Sequence, residues 1–148
     1  MQIYAIADLH LSLTSEKPMD VFGEAWRGHA EKLERNWRER VQEDDLVLIP
    51  GDISWAMQLS AALPDLSFIG NLPGKKILLK GNHDYWWSAI GRVRASLPEG
   101  MRALQNDSIV EGDVGICGSR GWLCPGSNNF SAEDQKIYLR ELDRLSLS

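Results

Sequence analysis

Leu46-Val47-Leu48-Ile49-Pro50-Gly51-Asp52 is an apolar run closed by a glycine and a carboxylate. A short apolar run bounded by turn residues reads as a buried strand. The pattern occurs twice more. Ile3-Tyr4-Ala5-Ile6-Ala7 leads into Asp8-Leu9-His10, and Ile77-Leu78-Leu79-Lys80 leads into Gly81-Asn82-His83-Asp84. Segments with helical periodicity separate the three runs. Strand alternating with helix predicts βαβ units on a parallel sheet, and so an α/β fold. In open α/β sheets, sites form where the carboxyl ends of the strands meet. Two carboxylates, two histidines and an amide would converge there. That donor set suits a divalent metal ion or a pair of them.

The first helix is expected over Phe22 to Gln42, with Trp26, Ala30, Leu33, Trp37 and Val41 on one face. A second follows Ser54, its N-cap, through Leu63. Pro64 then interrupts the pattern, and the stretch to Ile69 reads as a separate turn of helix. A third runs from Tyr85 to Leu97 and stops before Pro98. Met101 to Leu104 reads as a short strand. Ser108 to Glu111 and Val114 to Gly118 flank Gly112-Asp113, a two-residue hairpin turn. Residues 119–130 are rich in Gly, Asn and Ser and read as a loop. Ser131-Ala132-Glu133-Asp134 forms a capping box that opens a last helix, with Tyr138, Leu142 and Leu145 as its apolar face. The whole, 1–148, reads as one incomplete domain. Residues 1–100 form a ligand-bearing βαβαβα half, and 101–148 begin a second sheet, a loop and the final helix.

Composition narrows the function. The chain has 148 residues and a formal net charge of −5, with no basic block beyond Lys75, Lys76 and Lys80. A nucleic-acid groove wants clustered Lys and Arg, so nucleic acid is not the expected main partner. Cys117 and Cys124 make no disulfide framework and read as reduced thiols in a cytoplasmic protein. No signal peptide and no bilayer-length apolar run is present, so no membrane partner is expected. No P-loop motif occurs.

Taken singly, the motifs leave alternatives open. Asp8 and His10 are two apart, and on an extended segment such residues point the same way and can grip one ion. The pair is also compatible with a turn Asp beside an incidental His. Asp52 could cap a helix, or use both oxygens to bridge two ions. Gly51 would let the backbone bend tightly beside it. Asn82 offers a neutral carbonyl ligand or an Asn-mediated turn. His83 could protonate a leaving alkoxide or stabilise phosphoryl charge. His29 reads as a packed helix residue, Trp86 and Trp87 as packing residues, and Cys124 as no nucleophile. Arg120, in a loop after a strand, could meet a phosphate through its guanidinium or simply lie at the surface.

In this order the three motifs resemble the calcineurin-like metallophosphoesterase superfamily, with its D-x-H, G-D and G-N-H-D/E signature. The resemblance runs from Met1 to about Asp84. Gly118-Ser119-Arg120-Gly121-Trp122 is similar to a branch of bacterial phosphohydrolases. The resemblance implies the amino-terminal portion of a four-layer α/β/β/α sandwich that hydrolyses phosphate mono- or diesters. It implies that Asp8, His10 and Asp52 hold one metal ion. Asp52 and Asn82 would hold part of a second, with His83 catalytic. The ions would be Mn, Fe or Zn, two in the family and one retained here.

Two departures follow. Many members carry an Asp three residues after the bridging Asp, which orients the catalytic histidine. Here that position is Trp55, so the orientation of His83 falls to Asp84 or to backbone. Further, no histidine follows His83, and the family's later histidine motifs are absent. This predicts a truncated chain of low activity that self-associates through an incomplete sheet. The competing expectation is a non-catalytic module that binds metal or a partner.

Overall fold

The computed structural model describes residues 1–14 and 17–148. Contacts divide the chain into two units, Met1–Ala103 and Leu104–Ser148. The first unit holds a parallel sheet of β1 (Ile3–Ala5), β2 (Leu46–Pro50), β3 (Lys75–Leu79) and β4 (Met101–Ala103), hydrogen-bonded in that order. Three helices connect them: α1 (His29–Arg40), α2 (Leu59–Gly70) and α3 (Ile90–Ser96). The expected α/β class with a parallel sheet is what the chain forms. Met101–Ala103 differs from expectation. It extends this first sheet beside β3 instead of opening a second one.

The core explains the strand positions. Val47, Ile49 and Leu78 pack with Trp37, Val41, Ala62, Leu66 and Ile69 from the helices. Full burial of the Val, Leu and Ile side chains among these is worth roughly 1.5–3 kcal/mol each.

Helix boundaries moved, for identifiable reasons. Gly23 and Gly28 take φ of 125° and 61°, and the residues before His29 form two short 3-10 turns, Met19–Phe22 and Glu24–Trp26. The first helix therefore starts at His29, not Phe22. Ala30, Leu33, Trp37 and Val41 still pack inward as expected. Pro64 does not interrupt α2, which is continuous. Ser60 and Pro64 are exposed, so water can satisfy the carbonyl that Pro64 leaves without a donor. Nor is Ser54 a cap. Its hydroxyl donates to buried Asp65 at 2.5 Å, while Gln58 precedes the helix. The third helix starts at Ile90, not Tyr85; Trp86 and Trp87 precede it, both buried, with ring centroids 5.2 Å apart.

The second unit contains the antiparallel hairpin β5 (Ser108–Glu111) and β6 (Val114–Cys117), joined by Gly112-Asp113 as read from the sequence. Helix α4 (Ala132–Leu147) follows. Its capping box is present: Ser131 Oγ accepts from Asp134 N–H, and Asp134 accepts from Ser131 N–H. Leu142 and Leu145 on its anticipated apolar face are exposed. Cys117 and Cys124 are free thiols. Among the described residues, no helix is long and apolar enough to cross a membrane.

Candidate metal centre

The site grows from the carboxyl ends of β1, β2 and β3, and the sheet's hydrogen bonding continues into its loops. Asp8 N–H donates to Gly51 O (3.1 Å), His10 N–H to Asp52 O (2.9 Å) and Leu11 N–H to Ile53 O (2.9 Å). Trp55 N–H returns to Leu11 O at 2.9 Å, and Leu11 bridges Ser54 in parallel. The two loops are thus zipped together beyond the strands, which sets Asp8 and His10 opposite Asp52.

The backbone there is unusual. Asp8, His10 and Asp52 have φ of 59°, 44° and 52°, three of the five non-glycine residues with positive φ among the described residues. Left-handed backbone costs an L-residue roughly 1–2 kcal/mol. Such conformations persist where surrounding bonds over-determine them, and they cluster at functional sites. The expectation that Asp8 and His10 converge by strand alternation is therefore corrected. They meet because both residues turn left-handed, which leaves His10 Nε2 3.8 Å from Asp8 Oδ1.

Two glycines permit the approach of the second and third loops. Gly51, with φ 104°, has Gly81 Cα 2.6 Å from where its own β-carbon would sit. Asp84 locks these loops together. Its Oδ1 accepts from Ile53 N–H (2.8 Å), Ser54 N–H (3.2 Å) and Trp86 Nε1 (2.9 Å), and its Oδ2 from Gly81 N–H (2.8 Å). Burial pushes the Asp84 carboxyl above its ordinary value despite these donors. With both oxygens committed to these donors, Asp84 does not orient His83.

That task falls to Asp52. Its Oδ1 accepts from His83 N–H at 2.9 Å, and its Oδ2 meets His83 Nδ1 at 2.7 Å. Burial opposes ionisation of Asp52. The His83 side-chain and backbone hydrogen bonds, helped by the His10 imidazole, outweigh it and hold the carboxyl below its ordinary value. His10 Nε2 lies 3.8 Å from Asp52 Oδ2. His10, Asp52 and His83 thus each bring a ligand atom within 4.8 Å of the others.

This group fits a divalent ion. The 3.8 Å gaps around His10 Nε2 are too long for hydrogen bonds. They are short enough for a nitrogen and an oxygen to share an ion at about 2.0–2.2 Å each. Asp8, with a side chain 65% exposed against 9% for Asp52, stands at the rim. Asn82 is exposed, and its Nδ2 lies 3.1 Å from His83 Nδ1 rather than on a carboxylate. Arg120 lies in the second unit, its guanidinium 4.5 Å from the Trp122 ring centroid and its Nε buried without a hydrogen-bond partner among the described residues.

The sequence sets His83 beside the metal group but carries no sign that its ring closes on Asp52. In the sequence, Trp55 reads only as the absence of an acid. The Trp55 ring lies on His10, with centroids 4.6 Å apart and planes at 23°, and stands 5.3 Å from His83. The available signal was an indole three residues after Asp52.

Comparison with known proteins agrees with this architecture. The sequence pattern of the calcineurin-like phosphoesterases matches residues 1–146. No curated protein matches the chain. Among solved structures, a protein of unknown function from Aquifex aeolicus is similar in fold, with a TM-score of 0.58 at 20% identity. The match covers 95% of this chain and 70% of that one.

Proposed function

This chain belongs to the calcineurin-like phosphoesterase family, and we propose that it performs metal-dependent hydrolysis of phosphate mono- or diesters. The observation that carries this reading is the His10–Asp52–His83 group, a mixed nitrogen and oxygen donor set at the ends of three parallel strands. In this reading Asp8, His10 and Asp52 hold one ion, and Asp52 with Asn82 contributes to a second. Such donors suit Mn²⁺, Fe or Zn²⁺. A bound divalent ion would polarise a phosphoryl oxygen and stabilise the charge that develops on it. His83, 40% exposed, is the proposed proton donor to the leaving oxygen, with Asp52 fixing its ring through Nδ1. Arg120 is the proposed phosphate-binding side chain of the second unit. Free Cys117 and Cys124 support a cytoplasmic setting.

Turnover by this chain is expected to be low. It has three histidines, none after His83, so a second ion keeps only Asp52 and Asn82. One observation favours a second reading, a non-catalytic metal-binding module. His83 Nδ1 occupies Asp52 Oδ2, the same oxygen that faces His10 Nε2. The test is hydrolysis of an aryl phosphodiester and an aryl phosphomonoester with added Mn²⁺. Slow turnover that is abolished by chelation and by Asp52→Asn supports the enzyme. Turnover indifferent to both refutes it, and metal binding without any turnover selects the module.

A further inference from the structure

We propose that Trp55 is the positioning residue for His10, orienting its ring by stacking where other metal-binding histidines are oriented by a hydrogen bond. The purpose assigned to that orientation rests on the metal-binding reading above. A histidine that binds a metal through one ring nitrogen usually donates from the other to a carboxylate or carbonyl, which fixes the ring. Among the described residues, His10 has no such partner. Its Nε2 faces Asp8 and Asp52, while its Nδ1 is buried with no hydrogen-bond partner. Among the described residues, no hydrogen bond therefore fixes the ring against rotation about its Cβ–Cγ bond.

The indole supplies the missing constraint. Its ring lies against the imidazole with centroids 4.6 Å apart and planes 23° from parallel, an offset-stacked range in which aromatic pairs attract. Trp55 is itself held at several points. Its N–H donates to Leu11 O at 2.9 Å, one residue beyond His10, so indole and imidazole sit on adjoining rungs of the same loop ladder. Its Nε1 donates to Met19 Sδ at 3.1 Å, and Lys17 Nζ stands 4.9 Å from the ring centroid. The same indole stands 5.3 Å from the His83 ring. Trp55 thus walls the group on the His10 side. An acid at this position would instead add a charge.

The experiment is histidine-ring NMR on the full chain, combined with metal titration. Only His10, His29 and His83 contribute, so single substitutions assign every ring resonance. In the wild type, the ring protons of His10 should be displaced upfield by the indole ring current, and Trp55→Leu should remove that displacement. An unshifted His10 in the wild type overturns the proposal without any variant. Mn²⁺ affinity should fall about tenfold in Trp55→Leu and stay within about threefold in Trp55→Phe, since losing an orienting partner typically costs 10–100-fold. Leu retains apolar bulk, and Phe retains a stacking face. A folded Trp55→Leu chain with wild-type affinity overturns the proposal. If the wild type shows the shifted His10 but binds no metal, the ring orientation stands and the functional reading fails.

Discussion

Gly81 and Asp52 lie so close that a β-carbon on Gly81 would collide with the carboxylate and with the Asp52 backbone nitrogen. The loop after the third strand must therefore carry glycine here for His83 to reach Asp52. Gly81→Ala is expected to destabilise by roughly 1–3 kcal/mol, as overpacking does, and to break the His83–Asp52 contact. Urea unfolding measures the first effect. The NMR shift of the His83 ring measures the second.

Asp84 and Asp52 sit in adjoining loops and should respond oppositely to substitution. Asp84→Ala strands four N–H donors in a buried place, so a loss above about 3 kcal/mol is expected. Asp52→Asn should leave stability nearer to wild type and weaken Mn²⁺ binding at least tenfold. Paired unfolding and metal titrations on both variants check this. A stable Asp84→Ala chain would contradict the clamp.

The ligand-bearing strands were legible because Ile3–Ala5, Leu46–Pro50 and the Ile77-Leu78-Leu79 part of β3 are apolar runs, and the three ligand-bearing turns follow from where those runs stop. The helix starts were not. The backbone at Gly23 and Gly28 and the joint burial of Trp86 and Trp87 depend on tertiary packing that periodicity does not record. The site divides the same way. Asp8, His10, Asp52 and His83 were identifiable as donors. Their mutual orientation was not, since it arises from left-handed φ at three of them and from Asp84 turning to backbone donors instead of to His83.

Asp45 gives the fold a pH signature away from the metal group. Its Oδ1 accepts from Gln2 N–H at 2.6 Å and its Oδ2 from Gln42 N–H at 2.9 Å. These bonds hold its carboxyl below the ordinary 3.8. A depressed folded value stabilises fully above the unfolded value and is lost as pH falls through the folded one. Denaturation midpoints of wild type and Asp45→Asn should differ by a constant amount at neutral pH. The gap should close in acid below the ordinary carboxylate range. A gap that widens on acidification would contradict this.

His83 has two candidate roles that one variant separates. As proton donor, its loss should cost about 10²–10⁴ in rate. Metal content should then change little. His83→Ala assayed for both quantities decides between them. Metal loss matching the rate loss would make His83 a ligand within the group and not the proton donor.

The central claim is that Asp52 anchors a divalent ion at the ends of the three strands. The direct measurement is elemental analysis of wild type and Asp52→Asn after loading with Mn²⁺ or Zn²⁺ and desalting. About one ion per wild-type chain is predicted, with most of it lost in Asp52→Asn, as expected for removal of a charged oxygen ligand from a mixed donor set. A wild-type chain that retains no metal, or an Asp52→Asn chain that retains as much, would contradict the account.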